Sequence, residues 1–191
     1  MSPKNKRFKI SNFPISGLKM VERSRIGDKR GFLSRIFCAD ELAQAGWNKP
    51  IIQINHTLTE HARTVRGIHY QIPPYAEMKL VTCVLGEVWD VAVDLREGSP
   101  TFLKWHAELI TAENGRALLI PEGFGHGFQT ITDQCELIYF HSEAYNPEAE
   151  AGVRFDDPEL AIKWPLPLKV ISERDRSLPL IDKNFKGITI L

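Results

Sequence analysis

Two segments concentrate side chains able to do chemistry: Arg66-Gly67-Ile68-His69-Tyr70-Gln71, and Ile120-Pro121-Glu122-Gly123-Phe124-Gly125-His126-Gly127-Phe128. A neutral imidazole titrates near the pH of the cell, so His69 is a candidate for taking a proton from a substrate, while His126 stands in the spacing Pro-x-Gly-x-x-His, where a tight turn can aim it inward. Tyr139, in Glu136-Leu137-Ile138-Tyr139, keeps its proton over the same range and suits the delivery of one. Lys79, Arg66 and Arg30 are cations in or near these segments and the glycine-flanked run Asp28-Lys29-Arg30-Gly31. Each of these has a plain structural reading as well. His69 alone fits a satisfied core histidine, Tyr139 a core residue or inter-strand hydrogen bonder, and the three cations solvated surface charges. By parity Arg66 and His69 point to opposite faces of a regular strand, and the Gly67-Ile68 step between them is where a bulge would re-aim the arginine.

The elements that must position these residues are strands. Segments 51–59, 64–72, 79–86, 87–96, 102–111, 116–124, 126–132 and 135–145 are rich in Val, Ile, Thr, Leu and aromatics, and each ends near Gly, Pro, Asn or Asp. Alternation is clearest where Val88, Asp90, Ala92 and Asp94 oppose Trp89, Val91, Val93 and Leu95. Asp90 and Asp94 are either a polar wall inside a barrel or its wet side. So close a series of strands predicts a sandwich or barrel. Helical signals are few: Asp40 as cap of a short helix over 41–47 with Gly46 stopping it, and a Pro-initiated turn at Pro158. With no repeat or linker in 191 residues, one domain over 1–191 is expected, its Pro-rich stretch 164–180 wrapping the barrel.

Apolar residues make up 43% and charged residues 25%, as in ordinary globular proteins, and 24 Lys plus Arg balance 24 Asp plus Glu. That balance gives no overall field to recruit nucleic acid or an anionic membrane, so any anion site is local. Cys38, Cys83 and Cys135 lack CxxC spacing and read as buried small hydrophobes in a reducing compartment. The basic start, residues 1–10, leads into no signal-peptide run, and nothing approaches the roughly 20 apolar residues of a bilayer span. A cytoplasmic protein is expected.

The spacing Pro121-x-Gly123-x-x-His126 resembles the second motif of cupin jelly rolls, in which a tight turn aims a histidine inward. Metal-binding cupins bring an H-x-H pair from the first motif, and here that pair is His69-Tyr70-Gln71. His69, His126 and Glu77 make a poor set for a catalytic metal, which generally needs three protein ligands, so no metal is expected.

In full, the chain resembles the dTDP-4-dehydrorhamnose 3,5-epimerases. The match runs from about Gly27 to Pro179, through Asp28-Lys29-Arg30-Gly31-Phe32, Gln53-Ile54-Asn55, Arg66-to-Gln71, Lys79-Leu80-Val81, Gly86-to-Arg96, Ile120-to-Phe128, Glu136-to-Tyr139, Ile162-to-Pro165 and Ser172-to-Asp175. The resemblance implies an all-β, cupin-type jelly-roll barrel with short peripheral helices, no metal or organic cofactor, and a homodimer with exchanged N-terminal strands. It also assigns roles. His69 would remove a proton beside a sugar ketone, Asp175 orient it, Lys79 meet the enolate oxygen and Tyr139 return a proton to the other face. Arg30, Gln53, Asn55, Arg66, His126, Glu150 and Arg174 would line the nucleotide-sugar cleft, and Tyr145 would stack on the base. The chemistry is coherent, because C3 and C5 of a 4-ketosugar both adjoin the carbonyl, and a cation at its oxygen is typically worth about 3–4 kcal/mol of barrier.

The chain departs from the family pattern at Arg35, where Glu is usual, at Ile54, usually acidic, at Arg63, usually Gly, and at Arg174, commonly Lys. Arg35 reverses a local charge and donor capacity, so the resemblance fixes the family more firmly than it fixes the nucleotide or sugar. Three other functions compete: epimerisation at C3 or C5 alone, a non-catalytic sugar-binding barrel, and a metal-dependent oxygenase. A base paired with an opposed acid disfavours the binding barrel, and the missing second histidine disfavours the oxygenase.

Overall fold

Period-two alternation decides which side chains meet inside a β-structure, and it sorts this chain into layers. The computed structural model describes residues 6–190, so the first five residues of the basic start lie outside it. In chain order the strands are β1 (Phe8–Asn12), β2 (Lys19–Arg23), β3 (Arg25–Asp28), β4 (Gly31–Ser34), β5 (Gln53–Thr59), β6 (Val65–Gln71) and β7 (Lys79–Leu85). There follow β8 (Glu87–Asp94), β9 (Trp105–Thr111), β10 (Arg116–Ile120), β11 (Phe124–Thr130), β12 (Cys135–His141) and β13 (Glu150–Gly152). Two short helices are α1 (Ala39–Leu42) and α2 (Glu173–Arg176). Six strands form one sheet in the order β1-β2-β10-β7-β12-β5, five form another in the order β13-β6-β11-β8-β9, and β3 pairs with β4 as a separate hairpin. The chain crosses repeatedly between the two sheets, which makes a cupin-type jelly roll. Each of the eight central segments expected to be extended corresponds to one strand of it, β11 beginning two residues before its expected segment, at Phe124.

Between the sheets lies a core that includes Val81, Cys83, Val88, Ala92, Leu118, Phe128 and Leu137. Outside the six-stranded sheet, Leu80, Leu119 and Phe140 pack against Leu42 of α1 and Trp47. Outside the five-stranded sheet, Val91, Val93 and Leu95 are covered by Leu160, Ile162, Trp164 and Ile188, and the stretch 164–180 runs on along the barrel, Leu166 bonding the Gln129 side chain and Val170 bridging Thr64. Val88, Asp90, Ala92 and Asp94 are all fully buried on the inner face, which settles the two aspartates as an internal polar wall. Asp94 is anchored by Arg96, Ser99 and Thr101, and Asp90 by His126.

The step at Gly67-Ile68 is a bulge. His126 pairs with His69 while Phe128 pairs with Arg66, so β6 spends one residue more than β11 between the same two rungs. The extra residue turns Arg66 into the same cleft as His69. Gly67 is required there, at φ 112° with an added Cβ falling 2.6 Å from Gly127 Cα and 2.7 Å from the His126 carbonyl oxygen. Gly67→Ala is expected to cost about 3 kcal/mol from overpacking and backbone strain together, read as a lowered urea midpoint.

Two local expectations need correction. Asp40 does not cap α1: Cys38 occupies the cap without a side-chain hydrogen bond, and Asp40 sits in the first turn, where its charge still favours the helix start. Gly46, at φ 104°, does end the short 3-10 turn that follows. Cys83 and Cys135 are buried, with burial raising the Cys83 thiol to about 12, but Cys38 is only half-buried at its cap position. At Arg63 the backbone has φ 64°, a conformation that explains why glycine would be at home there.

Candidate active site

The inner ends of β5, β6, β7, β11 and β12, closed by α2 and the loop after β12, surround a cleft of about 620 Å³. His69 projects into it from β6. Its Nε2 pairs with Asp175 Oδ1 at 2.8 Å, and no hydrogen bond engages its Nδ1 among the described residues. Asp175 reaches this point because Ser172 caps α2 by accepting the Asp175 amide at 3.0 Å, turning the carboxylate toward β6. Its other oxygen accepts the Gly67 amide at 3.0 Å. Burial raises the Asp175 carboxyl, but the hydrogen bond and charge of His69, with the Gly67 amide, outweigh it and hold the group below its ordinary value. The orienting carboxylate is thus ionised at neutral pH, and its stabilising contribution is lost only as acid titrates it.

Tyr139 enters from β12, half-buried against the inner core. His126, the cross-strand neighbour of His69, lies edge-on to the Tyr139 ring at 5.9 Å and is itself fixed by Asp90 at 2.7 Å. One buried imidazole therefore connects the two candidate proton carriers. Burial, followed by the charge of Asp90, pushes the Tyr139 phenol above its ordinary value. A group raised in this way gives stability that is complete below the free phenol value and lost as pH rises through the folded one. In a spectrophotometric titration, Tyr139→Phe should remove a tyrosinate that forms only above about pH 10.

Lys79 stands at the start of β7 beside Glu77, Nζ to Oε1 3.1 Å, and Asn55 faces the same cleft from β5. The rim is a linked set. Glu150 of β13 accepts the Tyr145 hydroxyl at 2.8 Å and pairs with Arg174 of α2, while Tyr145 itself is half exposed. Gln53 does not line the cleft; its side chain accepts the Tyr145 amide at 3.0 Å and so holds that ring in place. Arg30 is outside the cleft of its own chain, at the turn of the β3–β4 hairpin, 90% exposed and paired with Asp28. Arg35 likewise pairs with Glu41 of α1, away from the cleft.

The candidate metal ligands are not gathered. His69, His126 and Glu77 are each engaged with a different partner, and among the described residues no group of three His, Cys, Asp or Glu side chains is placed to hold an ion. His141 is a cleft residue that sequence reasoning did not single out; it follows Tyr139 by two positions, and alternation alone would have put it on the same face.

The sequence model of the family described as dTDP-4-dehydrorhamnose 3,5-epimerase matches residues 12–183. The chain is 41% identical over 170 residues to the dTDP-4-dehydrorhamnose 3,5-epimerase of Pseudomonas aeruginosa, covering 88% of this chain and 93% of that one. It is 39% identical over 168 residues to the dTDP-4-dehydrorhamnose 3-epimerase of Streptomyces niveus, covering 87% and 81%. Among solved structures, the dTDP-6-deoxy-D-glucose-3,5-epimerase of Legionella pneumophila, in complex with dTDP-4-keto-L-rhamnose, superposes with a TM-score of 0.89 at 35% identity, covering 96% of this chain and all of that one. By fold and by sequence over most of its length, this chain belongs to the dTDP-4-dehydrorhamnose 3,5-epimerase family.

Proposed function

We propose that the chain inverts C3 and C5 of dTDP-4-dehydro-6-deoxyglucose, in the route to dTDP-L-rhamnose, with the whole of residues 1–191 acting as one domain. It is an isomerase, an epimerase of a nucleotide-activated sugar. The observation that carries the reading is the His69–Asp175 pair, 2.8 Å apart, in one cleft with Lys79 and Tyr139. His69 takes the proton from the carbon beside the ketone. Lys79 meets the negative charge that moves onto the C4 oxygen, and Tyr139 returns a proton to the opposite face. Arg66, Asn55, His126, Glu150 and Arg174 hold the nucleotide sugar, with Tyr145 stacked on the base and Gln53 supporting it.

Arg30 completes a partner's cleft in a homodimer with exchanged N-terminal strands. Support for this comes from the hairpin itself, which leaves Ile26, Phe32 and Leu33 exposed and stands apart from both sheets. The three free cysteines suit a reducing, cytoplasmic site of action. Among the described residues no helix is long and apolar enough to cross a membrane.

Incubation with dTDP-4-dehydro-6-deoxyglucose and NMR of the product tests the reading. Inversion at both carbons is expected. Inversion at C3 alone would favour the second reading, suggested by the 3-epimerase relative, and an unchanged sugar would refute both. Exhaustive chelation should leave turnover intact, because the donors able to bind a metal are each committed to a separate partner. Loss of activity on chelation, restored by one metal per chain, would contradict this.

A further inference from the structure

Two cleft residues beside Lys79, Glu77 and His141, have no task in the chemistry above. Glu77 places one carboxylate oxygen 3.1 Å from the Lys79 ammonium and the other 2.6 Å from His141 Nδ1. The second ring nitrogen of His141 meets Asn55 Nδ2 at 3.4 Å. The same imidazole lies nearly parallel to the Tyr139 ring, centroids 6.0 Å apart at 18°. Lys79 and His141 are direct partners across β7 and β12, so a carboxylate two residues before Lys79 falls between them.

We propose that Glu77 and His141 are positioning residues: their carboxylate–imidazole bridge fixes the Lys79 ammonium relative to the Tyr139 ring. This rests on the epimerase reading of the cleft.

The physical argument concerns donors and rotation. An ammonium has three N–H donors. Glu77 takes one, and among the described residues no other partner claims the remaining two, which stay available to an oxygen in the cleft. His141 occupies the second Glu77 oxygen, so the carboxylate cannot turn both oxygens onto the lysine and cancel its reach toward substrate. Asn55 and the Tyr139 ring hold His141 in turn. Glu77 is well suited to this, since burial raises its carboxyl but His141 and Lys79 outweigh that and keep it ionised. Sites that stabilise developing charge depend on such fixed placement, and about 1 Å of displacement can cost on the order of 100-fold in rate.

The test compares Glu77→Ala, His141→Phe and Glu77→Gln in kcat, KM, dTDP affinity and solvent deuterium exchange into the sugar. Glu77→Ala removes the bridge, and His141→Phe keeps the stacked ring without it. Both should lose roughly 10- to 100-fold in kcat and in exchange, with KM and dTDP affinity within about twofold. Glu77→Gln retains an acceptor for Lys79 and should recover kcat to within about fivefold of wild type. A merely structural role would instead lower the unfolding midpoint and dTDP affinity together. Wild-type kcat in a folded Glu77→Ala or His141→Phe, or a raised KM with kcat unchanged, would overturn the proposal. If neither of those variants folds, Glu77→Gln decides it, a larger loss of kcat at constant KM counting against. A wild-type chain inert toward the 4-ketosugar would sink the epimerase reading itself, whereas an active wild type with unaffected variants sinks this inference alone.

Discussion

His69→Asn abolishes both product formation and deuterium uptake from solvent at C3 and C5, while leaving the fold and dTDP binding in place. The expectation follows from where the side chain stands. His69 is the cleft imidazole paired with a carboxylate held ionised and fixed by the Gly67 amide and the Ser172 cap, with its second nitrogen free of hydrogen bonds among the described residues. The other two cleft imidazoles are engaged as well, His126 with buried Asp90 and His141 with Glu77, and neither substitutes without breaking its pair. Asparagine retains a donor for Asp175 but has no basic nitrogen, so the enolate does not form. Loss of one general base typically costs about 10²–10⁴-fold, and here exchange should fall by the same factor as turnover, since both begin with the same proton transfer. Quantitative NMR of sugar recovered from D2O measures the two together. Near-normal exchange in His69→Asn would assign the base elsewhere.

Tyr139→Phe fails in a different way. The phenylalanine ring preserves the contacts with His126 and His141 and removes only the hydroxyl. His69 still forms the enolate and returns a solvent-derived deuteron to the face it came from, so substrate acquires deuterium without changing configuration. Inverted product should fall by roughly 10²–10⁴-fold. The contrast between the two variants is the informative quantity: exchange and inversion fall together in one and separate in the other. Inversion at the wild-type rate in Tyr139→Phe would show that another group supplies the second proton.

Strand positions were legible because alternation is a local property. The run Val88 to Leu95 announced its two faces, and the structure puts Asp90 and Asp94 inside. The bulge at Gly67 was legible for a related reason, since a glycine between two polar residues of opposite parity marks a place where the backbone must depart from a regular strand. The partnership of His69 with Asp175, separated by 106 residues, could be reached only through the family resemblance, because no local pattern reports contacts across the barrel. Asp40 is a good cap by residue type, yet burial of Leu42 and Trp47 against the sheet sets where helix α1 begins. His141 was within reach of parity, two positions from Tyr139, and Glu77 read only as a candidate metal ligand; their pairing depends on register, which becomes visible only when β7 and β12 are aligned. Arg30 is distant from its expected site within one chain, and the exchange of strands proposed above is what would bring it there.

The central claim is that inversion proceeds by removing a proton on one face and adding a solvent-exchangeable one on the other. NMR of the product formed by the wild-type chain in D2O from unlabelled dTDP-4-dehydro-6-deoxyglucose tests it most directly. The account predicts deuterium at both C3 and C5 of the inverted sugar, since each new C–H bond takes its hydrogen from a phenol in exchange with solvent. Inverted product that keeps protium at those carbons would contradict it.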